Sequence, residues 1–475
     1  MRRLLILAVF SLAIFGQSAS SGSFCFAQAN VDKAGSPSET AAKSAQVDAL
    51  LAPLSQGTVP GVAVLVVRDD QVLHHKGYGL ARLDTKESIG PETAFDLASV
   101  SKQFTALAVM ILAERGKLSY EDPLSKYFPE FPSYTQKITI RHLLTHTSGL
   151  PDVINTTWFK AGYTPAAKEV AALIKKEPNA KAAAGARFEY NNAGYLLLAL
   201  IVEKASGQAF AKFMQENIFK PLGMTHTVIW DETKPKIEHL AVSYAPGDSS
   251  FQPIEPVSDV FIFGAKGVIS TTGDLIKWIE ALDTPKLVKP ETLRLAFTPM
   301  KLNDGSESFY GFGFGIGREN GLATIEHPGG YLGYRTNIKR FPSERTTVVV
   351  LSNNAQLDGL TMARSIGRIY VGDKMVMPAA KVKLDVAVLH GYAGKYESAT
   401  PGTEGLVLEI TVENEEIFIT SPIRPKAKLI AKSDTEFSIG EGSATVTFKK
   451  DDKGAVAGLS LKSRMGIIEA RRLNR

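Results

Sequence analysis

Three short segments of this sequence carry the residues best suited to chemistry. They are Ser99-Val100-Ser101-Lys102, Tyr190-Asn191-Asn192 and His327-Pro328-Gly329-Gly330. A serine hydroxyl is a poor nucleophile at neutral pH unless a base lies within hydrogen-bond reach and donors face the developing oxyanion. Together the segments offer a hydroxyl, an amine, a phenol and backbone N–H groups. We therefore predict a serine acyl-transfer enzyme whose base is Lys and Tyr rather than His and Asp.

The first segment places a hydroxyl and an amine one helical turn apart. Ser99 follows the strand-like run Ala94–Leu97 and precedes an apolar pattern of helical spacing. Free N–H groups at the first turn of a helix stabilise negative charge, and a residue three positions further on lies on the same face. Burial beside other donors lowers the pKa of a Lys amine. We predict Ser99 as the nucleophile and Lys102 as its base; the alternative is a helix-capping Ser beside a solvated Lys.

The second segment offers a phenol and an amide just before another apolar helix pattern. A Tyr phenol held near a cation acts as a base or relays a proton to the leaving group. An Asn amide is able to hold a substrate carbonyl and a Lys side chain at once. We predict these roles for Tyr190 and Asn192. The alternative is a Tyr that packs at a helix start, with Asn as the cap.

The third segment follows the strand-like run Leu322–Glu326. Its glycines allow the backbone to approach a ligand closely, and we predict that His327, Gly329 and Gly330 contact the substrate. The backbone N–H of Gly330 is expected to pair with that of Ser99 as an oxyanion hole. His327 is a candidate donor to a substrate carboxylate or leaving group. The alternative is a strand that ends at His327 and enters an ordinary Pro-Gly turn.

The elements around these segments indicate one α+β domain over residues 47–375. Strand-like runs near both ends of this region flank a long helix-rich middle, which fits an antiparallel sheet flanked by helices. The expected strands are Gly61–Val67, Gln71–Tyr78, Leu322–Glu326, Tyr334–Phe341 and Thr346–Leu351, and the expected helices are Phe104–Ala113, Gly194–Ala205 and Leu357–Tyr370.

The character of the sequence changes after Pro378. Short alternating runs recur at regular intervals between turns, which is typical of a small all-β domain. We predict a barrel-like domain over residues 385–475, with strands at Leu406–Val412, Ile417–Thr420, Glu436–Ile439, Ala444–Phe448 and Leu459–Lys462.

The amino terminus has the features of a cleavable signal peptide. Two arginines precede the apolar run Leu4–Phe15, and Ala27-Gln28-Ala29 is a small-x-small cleavage site. We expect residues 1–29 to be removed, residues 30–46 to form a flexible lead-in, and the protein to be periplasmic or secreted. Cleavage would also remove Cys25, the single cysteine, which leaves neither a thiol nucleophile nor a disulfide. No later apolar stretch has the length of a transmembrane helix.

Composition excludes several other classes of protein. The chain has 475 residues, 44% of them hydrophobic, and a formal net charge of +5 without a basic run, so we expect no nucleic-acid partner.

His142 and His146 have the i,i+4 spacing of a zinc-binding face, but no obvious third ligand accompanies them. His74 and His75 are neighbours on a predicted strand and point to opposite faces. We predict no metal and no cofactor; the oligomeric state stays open.

These segments, in this order, resemble the serine β-lactamase-like superfamily, which includes class C β-lactamases, D-Ala-D-Ala carboxypeptidases, D-aminopeptidases and related esterases. The stretches His142–Pro151, Pro221–Met224 and Gly267–Leu275 add to the resemblance, which covers roughly residues 45–372. It implies that Ser99 is acylated and that Lys102 and Tyr190 transfer protons. It further implies that Asn192 positions the substrate and the Lys, and that the backbone of Ser99 and Gly330 forms the oxyanion hole. The tail, with Tyr392–Glu397, resembles the lipocalin-like module appended to some members.

The third segment departs from the β-lactamase pattern. Where β-lactamases carry Lys-Thr-Gly, this sequence has His-Pro-Gly, and it lacks the Lys and Thr that help to hold the antibiotic's carboxylate. We therefore predict a hydrolase that cleaves a small ester or a D-amino-acid-containing peptide, with small molecules or cell-wall peptides as substrates. The alternatives are a class C-like β-lactamase and a catalytically inactive penicillin-binding or scaffold relative.

Overall fold

The computed structural model describes residues 37–55, 58–151, 153, 167–231, 233, 235–254, 263–376, 382, 384–400, 403, 405–421, 424–439, 444–463 and 466–473. In these residues the α-helices are α1 Pro37–Leu51, α2 Ser101–Glu114, α3 Leu124–Tyr127, α4 Ile140–Leu144, α5 Ala167–Lys176, α6 Asn192–Ser206, α7 Phe210–Met214, α8 Lys220–Leu222, α9 Thr272–Ala281, α10 Pro290–Ala296, α11 Gly359–Val371 and α12 Val386–Tyr392. A π-helical turn, Gln215–Phe219, joins α7 to α8. The 3₁₀ turns are Ala52–Ser55, Ala98–Val100, Ser133–Lys137, Pro342–Glu344 and Gly372–Lys374.

The strands of the described residues form one large sheet, one barrel and three small sheets. The strands before the barrel are β1 Val62–Arg68, β2 Gln71–Tyr78, β3 Leu80–Arg82, β4 Glu87–Ser88, β5 Ala94–Asp96, β6 Val228–Ile229, β7 Tyr244–Pro246, β8 Phe251–Pro253, β9 Val268–Thr271, β10 Gly315–Glu319, β11 Leu322–Tyr331, β12 Tyr334–Phe341 and β13 Thr346–Ser352. The barrel strands are β14 Gly394–Ser398, β15 Val407–Glu413, β16 Glu416–Ser421, β17 Arg424–Ala431, β18 Glu436–Ile439, β19 Thr445–Lys450, β20 Val456–Ser463 and β21 Gly466–Arg472.

The large sheet is antiparallel, with strand order β10-β11-β12-β13-β1-β2. Strand β1 lies inside this sheet and is apolar on both faces, because helices cover both sides. Val62, Val64 and Val66 pack with α1 and α11 on one face. Ala63, Leu65 and Val67 belong to the larger core on the other face, which contains α2 and α6. The α+β architecture predicted from the sequence is therefore confirmed.

Most predicted elements of this domain occur close to their expected positions. The β1–β2 hairpin turns at Asp69 and Asp70, both with positive φ, and β2 has the predicted bounds. Helix α2 ends before Gly116 (φ +67°) and α6 ends at Gly207 (φ +72°), the left-handed positions that favour glycine. The predicted lead-in is wrong in part, because residues 37–46 belong to α1. This helix is held by Val47 and Leu51, which pack on the sheet.

The carboxy-terminal strands close into an eight-stranded barrel, as the alternating pattern predicted. Closure is direct, since β14 pairs with both β15 and β21. In its described interior, aromatic rings pack together among buried aliphatic side chains: Phe448 stacks on Tyr392 at 4.1 Å between centroids and contacts Phe437 and Tyr396. Strands β14, β17 and β21 were missing from the sequence prediction.

The predicted signal peptide, residues 1–29, lies outside the described residues. Among the residues that are described, no helix is both long enough and apolar enough to cross a membrane.

Candidate active site

Ser99 lies in a short turn that is held by two hydrogen bonds with side chains. Strand β5 leads into the 3₁₀ turn Ala98–Val100, and α2 begins at Ser101. Ala98 has a positive φ of +49°, a strained conformation for a residue with a Cβ. The Ala98 N–H donates to Asp96 Oδ1 at 2.7 Å, and the Leu97 carbonyl accepts from Thr336 Oγ1 at 2.8 Å. These bonds hold the partly exposed Ser99 side chain at the start of α2.

Lys102 is buried beside Ser99 and has an acceptor for each of its three N–H donors. Its Nζ lies 3.2 Å from Ser99 Oγ, 2.8 Å from Asn192 Oδ1 and 2.9 Å from the carbonyl oxygen of Ala265. The side chain has no exposed surface. The structure therefore brings Ser99, Lys102 and Asn192 together. The Ala265 carbonyl was missed by sequence reasoning, because any residue's backbone is able to accept and leaves no signal.

Tyr190 covers the lysine from the other side. Its ring centroid lies 4.8 Å from Lys102 Nζ, a distance at which the ring face attracts a cation. The residue that caps α6 is Asn191, whose side chain accepts from the Gly194 N–H at 3.2 Å. The amide of Asn192 is consequently available to Lys102 rather than used as a cap.

The third segment is a strand and not a turn. Strand β11 continues through His327, Pro328, Gly329 and Gly330 and pairs with β12 as far as Tyr331. The expectation that the strand ends at His327 is wrong, because β12 extends the ladder beyond the Pro-Gly dipeptide. Strand β10 pairs with β11 only up to Glu326, so in the described residues no strand lies beside this part of β11 on the edge away from β12.

Gly329 brings β11 against the Ser99 turn. A Cβ atom at this position would lie 2.5 Å from the Leu97 carbonyl oxygen and 3.1 Å from Ala98 Cβ. Only a glycine fits such an approach without displacing the backbone. Gly330 follows directly and is exposed, and its predicted part in the oxyanion hole stays a prediction.

His327 is buried and uses both ring nitrogens within the protein. Nδ1 lies 2.7 Å from the Pro328 carbonyl, which only accepts, so Nδ1 carries the proton. Nε2 then accepts from the Tyr310 hydroxyl at 2.7 Å. Burial, and secondly the charge of Lys102, lower the pKa of His327 to about 3, so the ring is neutral at neutral pH. Its predicted contact with substrate stays a prediction.

Sequence reasoning missed an aromatic cluster next to Lys102. His146 stands at its centre, with the ring centroids of Tyr190, Tyr310 and Tyr195 at 4.3, 4.8 and 5.0 Å. Burial raises the pKa of Tyr195 and Tyr310 well above the usual value, so both phenols stay protonated. Their positions carry no sequence signal, since aromatic residues in a helix or loop are usually core residues.

A second buried lysine lies beside the Ser99 turn and was also missed. Lys266 Nζ lies 3.0 Å from the ring centroid of Tyr331, the residue after Gly330. Burial lowers its pKa to about 7, an effect that the charge of Asp96 opposes. Burial raises the pKa of Asp96, while Lys266 and the N–H donors of Ala98 and Gly267 act in the other direction.

The histidine pairs considered as metal ligands have separate surroundings. His142 Nδ1 accepts the Thr139 N–H in a capping box at the start of α4, whereas His146 belongs to the aromatic cluster. His74 contacts Ser44 and Tyr78, and His75 contacts Thr272. Across the described part of the chain, no group of three or more His, Cys, Asp or Glu side chains is placed to hold a metal ion.

Comparison with known proteins gives a consistent family. The family model described as Beta-lactamase matches residues 47–369. Penicillin-binding protein 4* of Bacillus subtilis (strain 168) is 32% identical over 423 residues, which are 82% of this chain and 90% of that protein. The octameric penicillin-binding protein homologue from Pyrococcus abyssi has the same fold, with a TM-score of 0.62 and 23% identity over 91% of this chain and 99% of that one. The D-amino acid amidase from Ochrobactrum anthropi SV3 shares the fold, with a TM-score of 0.58 and 21% identity over 71% of this chain and 99% of that one.

Proposed function

The chain belongs to the Beta-lactamase family of serine hydrolases, and on that premise we propose that it forms an acyl-enzyme on Ser99 and cleaves a small ester or a D-amino-acid-containing peptide. The observation that carries the proposal is the position of the buried Lys102 Nζ, 3.2 Å from Ser99 Oγ and 2.8 Å from Asn192 Oδ1. A nucleophile and a base within hydrogen-bond reach, with a third group that orients the base, is the arrangement that activates a hydroxyl.

Acylation in this proposal needs one proton to leave Ser99 and one to reach the leaving group. Lys102, in its neutral form, accepts the hydroxyl proton while Ser99 Oγ attacks the carbonyl carbon. The N–H groups of Ser99 and Gly330 hold the oxyanion, and Tyr190 relays the proton from Lys102 to the departing alcohol or amine. A water molecule then adds to the acyl-enzyme with the same groups, which releases the acid and restores the serine hydroxyl.

The charge of the third segment supports the proposed substrate class. His327 is neutral, since its pKa lies at about 3, and it stands where β-lactamases carry a lysine. A neutral ring gives a substrate carboxylate no ionic partner at this position. The penicillin-binding name of the Bacillus subtilis relative concerns capture of a β-lactam, which is the first step of the class C-like β-lactamase alternative, and not its hydrolysis. The further alternative is a catalytically inactive penicillin-binding or scaffold relative.

We further propose that residues 1–29 direct export and that the protein acts in the periplasm or outside the cell. Substrates would then be small molecules or peptides that include cell-wall fragments. A fusion of residues 1–29 to a reporter that is active only after export tests this part of the proposal, because a cytoplasmic reporter would contradict it.

The central experiment is labelling followed by a substrate panel. We expect the wild-type protein to bind a fluorescent penicillin or a fluorophosphonate, Ser99→Ala to lose the label, and the matched control Ser133→Ala, at an exposed position, to keep it. The panel comprises p-nitrophenyl esters, D-Ala-D-Ala peptides, D-amino-acid amides and a chromogenic cephalosporin. No labelling of the folded wild type, or equal labelling of Ser99→Ala, would contradict the Ser99 mechanism. Fast cephalosporin turnover with slow ester cleavage would favour the β-lactamase alternative.

A further inference from the structure

Helix α4 ends with a residue type that this kind of helix end does not favour. The N–H of Thr147 donates to the His142 carbonyl at 2.9 Å, and the N–H of His146 donates to the Leu143 carbonyl at 3.3 Å. These two bonds define a Schellman motif, in which the residue after the C-cap adopts the left-handed conformation and is usually Gly. Here that residue is His146, with φ +55°. A residue whose backbone persists in this strained conformation requires compensating contacts.

The compensating contacts of His146 lie on both sides of Tyr190. The backbone carbonyl of His146 accepts the Glu189 N–H at 2.8 Å, and its ring Nδ1 accepts the Asn191 N–H at 3.1 Å. One residue therefore holds both chain neighbours of Tyr190. The ring also packs on the Tyr190 ring, with centroids 4.3 Å apart.

The protonation state of His146 follows from the same bonds. Since Nδ1 accepts a backbone N–H, the proton of the neutral ring is on Nε2. Burial, followed by the charge of Lys102, lowers the pKa of His146 well below its usual value. Nε2 is buried, and in the described residues no acceptor lies within hydrogen-bond distance of it. The ring thus stays neutral beside the lysine and remains an acceptor for Asn191.

We propose that His146 is a positioning residue that holds Tyr190 over Lys102, by accepting the Asn191 N–H at Nδ1, so that the phenol is aligned to pass a proton to the leaving group. This inference rests on the proposed function, because it assigns Tyr190 a part in proton transfer. A residue that is positioned by a hydrogen bond to its chain neighbour loses alignment when that bond is removed. A displacement of about 1 Å costs on the order of 10²-fold in rate.

Two substitutions separate positioning from packing. His146→Asn keeps an acceptor, since Asn Oδ1 replaces Nδ1, and Asn tolerates the left-handed backbone. His146→Phe keeps the ring and its packing but loses the acceptor. If His146 only fills space, Phe should be the milder change; if it acts through Nδ1, Asn should be the milder change. His142→Asn, at the histidine that lies within α4 itself, is the matched control.

The readout is the dependence of acylation on the leaving group. A p-nitrophenyl ester departs without a proton, whereas an alkyl ester of the same acid needs one. For His146→Phe we expect the alkyl ester rate to fall on the order of 10²-fold while the p-nitrophenyl ester rate falls far less. His146→Asn and His142→Asn should keep the wild-type ratio of the alkyl ester rate to the p-nitrophenyl ester rate. The proposal would be overturned if the two ester rates fell equally in His146→Phe. It would also be overturned if the ratio of the alkyl ester rate to the p-nitrophenyl ester rate fell further in His146→Asn than in His146→Phe.

Separate measurements test whether the variants fold and whether the proposed Ser99 mechanism holds. Thermal unfolding reports whether each variant folds. If His146→Phe does not fold, His146→Asn decides alone. A wild-type ratio of the two ester rates in His146→Asn then supports the proposal, and a lower ratio overturns it. Fluorophosphonate labelling reports the reactivity of Ser99 in a reaction whose leaving group is not an alcohol. Absence of labelling in the wild type would reject the Ser99 mechanism itself, whereas normal labelling of His146→Phe with an unchanged ester ratio would reject only the role of His146.

Discussion

Replacing Gly329 by Ala tests whether β11 must touch the turn that carries Ser99. The new Cβ would lie 2.1 Å from Thr336 Oγ1 and 2.5 Å from the Leu97 carbonyl oxygen. Because non-bonded contacts are optimal near about 3.5 Å, the strand or the turn must move by roughly 1 Å. At Gly330 the nearest atom to a Cβ is Arg335 Nη1 at 4.0 Å, so Gly330→Ala fits and keeps its backbone N–H. It is the matched control.

The expected cost of Gly329→Ala has two parts. Overpacking lowers the free energy of unfolding by about 1–3 kcal/mol. A displacement of about 1 Å between the nucleophile and the oxyanion donors lowers kcat on the order of 10²-fold. Urea unfolding and turnover of a p-nitrophenyl ester measure the two parts, and Gly330→Ala should keep the wild-type free energy of unfolding. Wild-type turnover by Gly329→Ala, or an equal loss of stability in Gly330→Ala, would refute the reasoning.

Three further predictions follow from single contacts. Asn192→Ala removes the 2.8 Å acceptor of Lys102 and should lower kcat/KM by roughly tenfold to a hundredfold, and unchanged ester kinetics would contradict this. Tyr310→Phe removes the hydroxyl that donates to His327 and should lower the free energy of unfolding in urea by about 1–3 kcal/mol; an unchanged midpoint would count against that bond. The folded pKa of Lys266, about 7, lies below its unfolded value, so the unfolded chain holds the extra proton above pH 7. Stability should therefore rise with pH from about 7 to 10, by up to about 1.4 kcal/mol per pH unit, and Lys266→Met should reduce this rise; parallel curves would exclude Lys266 as its source.

Local signals predicted much of the fold and part of the candidate site. Gly207 marks the end of α6, and the Asp69-Asp70 turn sets the bounds of β2, because both depend on neighbouring residues only. Ser99 and Lys102 share one helical turn, so their contact also follows from local geometry. Asn192 was predicted from the chemistry of its amide and from the resemblance, because local geometry does not reach a contact with Lys102 that spans 90 positions of the chain.

The errors and omissions have a common physical cause. Pro328 and Gly329 are turn residues by local preference, but pairing with β12 keeps them in a strand. Strand β14 was missed because its place depends on closure with β21, far along the sequence. Tyr310 contributes through a hydroxyl that donates to His327, and Ala265 contributes through a backbone carbonyl; neither contact depends on a local pattern.

The three acceptors around Lys102 also bear on how the protein becomes reactive. Two of them, Asn192 and the Ala265 carbonyl, lie 90 and 163 positions away along the chain. Contacts of such long sequence separation form late, because a large loop must close before they are made. A partly folded chain would carry Ser99 without its assembled surroundings and remain chemically inert. The time course of fluorophosphonate labelling during refolding would therefore record the last steps of assembly rather than the first collapse of the core.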